Sequence, residues 1–214
     1  VIVGNAIGTN PRGNVPIGNQ TDGILIVQAS NNRIGDQQYG GGPTDPNTSL
    51  TSDGNIIAYN GGNGVSILAG TLNALHGNLI YGNGALGIDL GKDGITPNDA
   101  SDADSGPNDL LNSPVITSVR TSDRGTVITT KIPAVVRDKD WSRLVYAFPS
   151  CDPAGQSKRP QIIAPLASLT LEAGDQREET SIYPALPPGT GITALDTSWT
   201  KSGLVGNTSE FASC

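Results

Sequence analysis

One recurring pattern constrains this chain more than any other feature. The segment from Gly54 reads GNIIAYNGGNGVSIL, and the segment from Gly77 reads GNLIYGNGALGIDL. Aligning Asn55 with Asn78 gives an offset of 23, which also sets Asn60 on Asn83, Gly61 on Gly84, Gly64 on Gly87, Val65 on Ile88 and Ile67 on Leu90. An earlier copy runs from Asn19 to Gly23-Ile24-Leu25-Ile26, and Gly4-Asn5-Ala6-Ile7-Gly8 resembles the start of another. The shared pattern is Asn, three residues, Gly, apolar, any, apolar.

A unit of this length is shorter than the roughly 30 residues of a βαβ unit. No copy carries an amphipathic helical stretch. Each holds two or three short strands separated by Gly and Asn turns. That is the content of one coil of a parallel β-helix, in which strands pair with the coils above and below. Ile24, Ile26, Val65, Ile67, Ile88 and Leu90 then stack as one apolar column. Asn19, Asn60 and Asn83 are expected at tight inward corners, Asn19 being inaccessible to solvent. There Asn tolerates the left-handed backbone and its amide bonds along the stack, as a structural ladder. The first and second copies stand 41 apart, 18 more than one coil. The excess is expected in Asp36–Ser52, a polar loop bulging from the coils, with Asn47 as the accessible N-glycosylation sequon.

Composition then divides the chain. Residues 1–112 hold 16 of the 17 Asn and 21 of the 28 Gly, with ten Asp, no Glu and three basic residues, Arg12, Arg33 and Lys92. Residues 113–214 hold ten basic and ten acidic residues, both Trp, both Phe and both Cys, so the formal charge of −7 sits in the first half. Two domains follow, 1–112 and 113–214, with a boundary near Asn112–Pro114. The acidic first half argues against nucleic acid, which needs clustered Lys and Arg. No apolar run reaches the roughly 18 residues of a membrane span. The chain begins at Val1 and contains no Met, which points to a mature product or a piece of a longer protein. Cys151 and Cys214 have no metal-binding spacing. A disulfide between them is the expected pairing, with two unpaired thiols as the alternative.

GNAIGTNPRGNVPIGNQTDGILIVQASNNRIG and NIIAYNGGNGVSIL resemble the coils of right-handed parallel β-helix repeat proteins that bacteria secrete or display on their surface. Residues 86–116 are similar to the stretch that follows such coils. Cys151–Gly155 and Gly206–Cys214 are similar to the ends of a C-terminal β-sandwich module. The resemblance implies an all-β chain, a right-handed parallel β-helix of few coils followed by an antiparallel, Ig-like β-sandwich, and an extracellular or cell-surface location.

The joint at residues 89–109 carries Asp89, Asp93, Asp99, Asp102, Asp104 and Asp109 against one base, Lys92. So many carboxylates repel one another unless a cation neutralises them, and Ca²⁺ takes six to eight oxygens. Asp93, Asn98, Asp99, Asp102 and Asp104 are the expected ligands. Asp89 is expected outside the coil, within reach of the same cation. The EF-hand spacing and its closing Glu are absent, and a solvated turn-rich linker is the alternative.

In the second half, stretches near 114–119, 125–132, 143–148, 161–171, 178–183, 190–197 and 207–212 read as seven strands of a sandwich. Trp141 and Trp199 are expected to anchor packing, with a sugar platform as the alternative. Fold alone does not decide catalysis. Glycoside hydrolysis needs a carboxylate pair, and lyase chemistry needs a positioned base. His76, in LNALHGN, has no flanking signature and is expected to be structural or merely exposed. The expected function is therefore a non-catalytic extracellular module for surface display, adhesion or head-to-tail assembly. Its expected partners are other copies of itself, or upstream coils, at the N-terminal coil edge. The alternatives are a fragment of a carbohydrate-active β-helix enzyme and a polysaccharide-binding module.

Overall fold

A computed structural model describes residues 1–35, 54–131, 140–149, 161–170, 178–200 and 206–213. The protein is all-β, with fifteen strands and no α-helix among the described residues.

The first eight strands are two or three residues long: β1 (Ala6–Ile7), β2 (Ile24–Ile26), β3 (Arg33–Gly35), β4 (Ile56–Ala58), β5 (Val65–Ile67), β6 (Ala74–His76), β7 (Leu79–Tyr81) and β8 (Ile88–Leu90). They pair in parallel as three files, β1-β4-β7, β2-β5-β8 and β3-β6. Ile2 extends the third file by bridging Ile34. The register reproduces the sequence offset: Val65 faces Ile88 and Ile57 faces Ile80, each 23 residues on. Leu25 faces Ser66 and Ile34 faces Leu75, each 41 residues on. Since β4 and β7 differ by 23 but β3 and β6 by 41, the surplus of 18 falls between β3 and β4, in residues 36–53. Those residues, and with them the bulging loop and the accessible Asn47 expected there, lie outside the described residues. A smaller surplus falls between β1 and β2, where Thr9 bridges Pro16. The carbonyl of Gly13 there accepts the hydroxyls of Tyr81 and Tyr59, which pins this excursion to the first file.

Short runs suffice as strands because the middle ones, β4 and β5, pair on both sides and are buried throughout. Ile57, Val65, Ile67, Leu75 and Leu79 are wholly inaccessible. The repeated glycine has a steric cause, since strands stacked about 4.8 Å apart leave no room for a side chain at that corner. A Cβ on Gly64 would lie 2.6 Å from the Gly87 carbonyl oxygen and 2.5 Å from Ile80 Cγ2.

The second half supplies seven strands close to the seven stretches expected: β9 (Val115–Ser122), β10 (Gly125–Lys131), β11 (Asp140–Phe148), β12 (Gln161–Thr170), β13 (Glu178–Tyr183), β14 (Gly191–Trp199) and β15 (Gly206–Thr208). They form two antiparallel sheets, β13-β10-β9 and β12-β11-β14-β15. The central pair of the larger sheet is buried on both faces. Leu144, Tyr146, Phe148 and Leu195 pack into the core of the parallel files. The alternate residues Val145, Ala147, Ile192 and Ala194 pack with Ile128 and Tyr183 of the smaller sheet. Every residue of β14 is buried, so this strand lacks the alternation of a half-solvated strand. Packing therefore runs continuously across the boundary at 112.

On the face toward the smaller sheet, Arg143 forms a two-pronged ion pair with its cross-strand neighbour Asp196, Nε to Oδ1 at 2.7 Å and Nη2 to Oδ2 at 2.6 Å. Its Nη1 donates to Thr130 Oγ1 of β10 at 2.6 Å, which ties the two sheets together.

Candidate functional site

The corner asparagines form hydrogen-bonded files along the stack. The main-chain N–H and Nδ2 of Asn19 both donate to Asn60 Oδ1, at 3.2 and 3.0 Å. Asn60 donates in the same way to Asn83 Oδ1, at 3.1 and 2.9 Å. Asn60 is buried, but Asn19 is exposed, contrary to the inaccessible corner expected, because it is the first member of its file and no described residue donates to it from the other side. Two further files were missed by the sequence reading. Asn5 donates to Asn55 and Asn55 to Asn78. Asn32 donates to Asn73, whose N–H donates to Asn108 Oδ1. The signal was present, since Asn32 and Asn73 share the offset of Asn19 and Asn60. Asn108 carried no such signal. It lies in the turn Pro107–Leu110, where Asn108, Asp109 and Leu110 are all left-handed, with φ of 51°, 56° and 48°.

The tail edge of the stack, beyond β6, β7 and β8, is closed by the second half. Thr208 Oγ1 accepts the N–H of Leu75 at 2.9 Å. Glu210 Oε1 accepts the N–H of Leu90 at 2.9 Å, and its Oε2 accepts the N–H of Thr96 at 2.9 Å. Asn207 Oδ1 accepts the N–H of Leu72 at 2.5 Å. The Tyr146 hydroxyl donates to the Asn78 carbonyl at 3.1 Å. Trp199 meets His76 edge-on, with ring centroids 5.4 Å apart. His76, Trp141 and Trp199 are all buried, so neither tryptophan offers a face to a sugar. Burial pushes the Glu210 carboxyl above its ordinary value, and the charge of Asp89 adds to the effect.

The acidic joint separates into two places. Asp99, Asp102 and Asp104 converge, with one carboxylate oxygen of each within 4.8 Å of the others. Two oxygens that ligate one Ca²⁺ at about 2.4 Å are at most about 4.8 Å apart, so the trio fits one ion. Asn112, which the sequence reading missed, clamps this loop. Its N–H donates to Asp102 Oδ1 at 2.9 Å, its Oδ1 accepts the N–H of Asp99 at 2.9 Å, and its Nδ2 donates to the Asp99 carbonyl at 3.0 Å. The N–H of Ala103 holds the Asp99 carboxyl below its usual range. Burial, with the charge of Asp99 second, raises that of Asp104.

The other expected ligands are elsewhere. Asn98 is engaged with Ser113, whose N–H donates to Asn98 Oδ1 at 2.8 Å. The N–H of Asp93 donates to Asp89 Oδ1 at 3.2 Å. Asp89 itself is buried and accepts Asn63 Nδ2 at 2.9 Å, so it does not join the trio. Expected outside, it is instead buried beside Asn63, whose Nδ2 bonds both Asp89 and Ser66, the in-register neighbour of Asp89. Lys92, the one base of the segment, pairs with Asp22 of the first coil at 2.7 Å. Burial opposes ionisation of Asp22, but its bonds from Lys92 and from the N–H of Asn63 outweigh this and lower its titration. Cys151 and Cys214 lie outside the described residues.

No protein-family model, no curated protein and no solved structure matches the chain. Among the described residues no helix is long and apolar enough to cross a membrane.

Proposed function

We propose that the chain is a non-catalytic structural module of the extracellular or cell-surface kind, a right-handed parallel β-helix of few coils closed at its tail by a β-sandwich. The observation that supports this reading best is the seating of Thr208, Glu210, Asn207 and Tyr146 on main-chain groups at the tail edge. An unpaired strand edge invites pairing with another chain, and a stack needs its ends covered. The second half does that for one end. Within the stack itself, Asp22 and Asp89 are each committed to internal bonds.

The closed tail narrows how such a module assembles. Head-to-tail stacking through the coils requires a free edge of each polarity, and the tail edge is taken by the chain's own second half. Attachment through the coils therefore uses the head edge. Ca²⁺ at Asp99, Asp102 and Asp104 is part of the proposal, as a stiffener of the joint. Incubation with a panel of acidic and neutral polysaccharides is the test. We expect no turnover and no retention; turnover above background overturns the reading, and glycan binding without turnover replaces it with a polysaccharide-binding module.

A further inference from the structure

We infer that the head edge of the stack docks a partner segment of defined chemistry: two short parallel strands with asparagine at each of three corners, presented by their own tail edge. This rests on the parallel β-helix reading above and adds the chemistry of the partner.

All three asparagine files run in one direction. In each, the accepting Oδ1 belongs to the later member and its donor to the earlier one, although at the end of the third file Asn108 Nδ2 also donates back to the Asn73 carbonyl. The first members, Asn5, Asn19 and Asn32, therefore end the files with an Oδ1 that receives no hydrogen bond among the described residues. Such an oxygen only accepts, and within the stack the neighbouring layer supplies its donors as a corner asparagine's main-chain N–H together with its Nδ2.

The strand edge beside them has the same polarity. β1 and β2 are the outer strands of their files. Asn5 C=O, Ile24 N–H and Ile26 C=O are spent on the second coil, so by strand alternation the groups of Ala6 and Leu25 point outward. Ile7 and Ile24 remain part-exposed, although their in-register neighbours Ile57 and Val65 are wholly buried.

The third file is already occupied at this level. Ile2 N–H donates to the Arg33 carbonyl, and Gly35 N–H donates to the Ile2 carbonyl, both at 2.8 Å. Ile2 thus stands over Ile34 as Ile34 stands over Leu75. Gly4-Asn5 follows Ile2 as Gly77-Asn78 follows Leu75. Among the described residues, therefore, the layer above β1 and β2 has its third-file member and neither of the other two, and the pattern that fits those two places is that of residues 54–73. A second copy of this chain cannot supply it from its own tail edge, which Thr208 and Glu210 cover.

The experiment adds a copy of residues 54–73 directly ahead of Val1 in the full chain, which preserves this register. A control carries Asn55→Ala, Asn60→Ala and Asn73→Ala in the added copy only. Amide hydrogen exchange at Ala6 and Leu25 is the readout. The asparagine copy should slow both amides by about tenfold or more, and the alanine copy should not. No protection from either copy overturns the inference, and so does equal protection from both, since bare apolar cover would then suffice. Concentration-dependent dimerisation of the unmodified chain with protection of Ala6 and Leu25 also overturns it, in favour of a second copy. Asn60→Ala in the chain's own coil should speed exchange at Ile57 and Ser66. If it does not, the parallel β-helix reading itself fails; if it does and the added copy is silent, only the docking fails.

Discussion

The carboxylate of Glu210 accepts the main-chain N–H of Leu90 across 120 residues of chain. One side chain from the segment after β15 thereby bonds the β8 main chain where a strand partner would, while its other oxygen holds Thr96. Glu210→Ala leaves buried N–H groups unpaired and should cost about 1–3 kcal/mol, read from urea denaturation.

The same group sets a pH dependence. Its folded-state titration is raised by burial above the ordinary 4.5. The folded state then binds more protons than the unfolded one, so its contribution is full below about pH 4.5 and is lost as pH rises through the raised value. Thermal midpoints measured upward from pH 4.5 should show this decline, and Glu210→Gln should flatten it. An identical profile for both proteins would show that Glu210 does not cause it.

Asn60 and Asn19 share a sequence role but differ in depth. Asn60→Ala removes the acceptor for two Asn19 donors and both of its own side-chain donors in a dry corner. It should cost about 2–3 kcal/mol, and Asn19→Ala, at an exposed corner, about 0.5 kcal/mol. Comparable losses in denaturant midpoints would contradict the ladder's direction of burial.

Calcium should raise the melting temperature if the trio at Asp99, Asp102 and Asp104 binds it. At 100 times the dissociation constant the gain is about 2.7 kcal/mol. Calorimetry with Ca²⁺ and then EDTA checks this, and Asp104→Asn should abolish the difference. An unchanged trace in EDTA would reduce the trio to a loop held by Asn112.

Arg143 and Asp196 should behave as a unit. Removing one partner leaves a buried charge alone, so Arg143→Met should cost about 3–5 kcal/mol. The double variant Arg143→Met with Asp196→Leu should be less damaging than either single change, as seen in a double-mutant cycle on unfolding free energy.

What the sequence made legible was whatever stacking repeats. Paired parallel strands lie so close that the same position is Gly at 64 and 87 and the same amide recurs at 60 and 83, and that necessity is the offset of 23. The seven second-half strands were legible from their turns. The closure of the tail was not, because Thr208 and Glu210 meet Leu75 and Leu90 only through tertiary packing, with no local period to encode it. The cation trio was half legible for a similar reason. Composition marked the acidic segment, but the return of Asn112 decides which carboxylates converge, and it leaves Asp93 and Asn98 aside.

The alternation along β11 and β14 has a consequence for how the molecule comes apart. From 144 to 148 the odd-numbered residues of β11 belong to one hydrophobic cluster and the even-numbered residues to the other. Peeling that sheet from the coils strips Leu144, Tyr146 and Phe148 of cover, and peeling it from the smaller sheet strips Val145 and Ala147. Neither half keeps an intact interior alone. A chain whose composition reads as two domains is thus built to melt as one cooperative unit, with a calorimetric enthalpy equal to the van 't Hoff value.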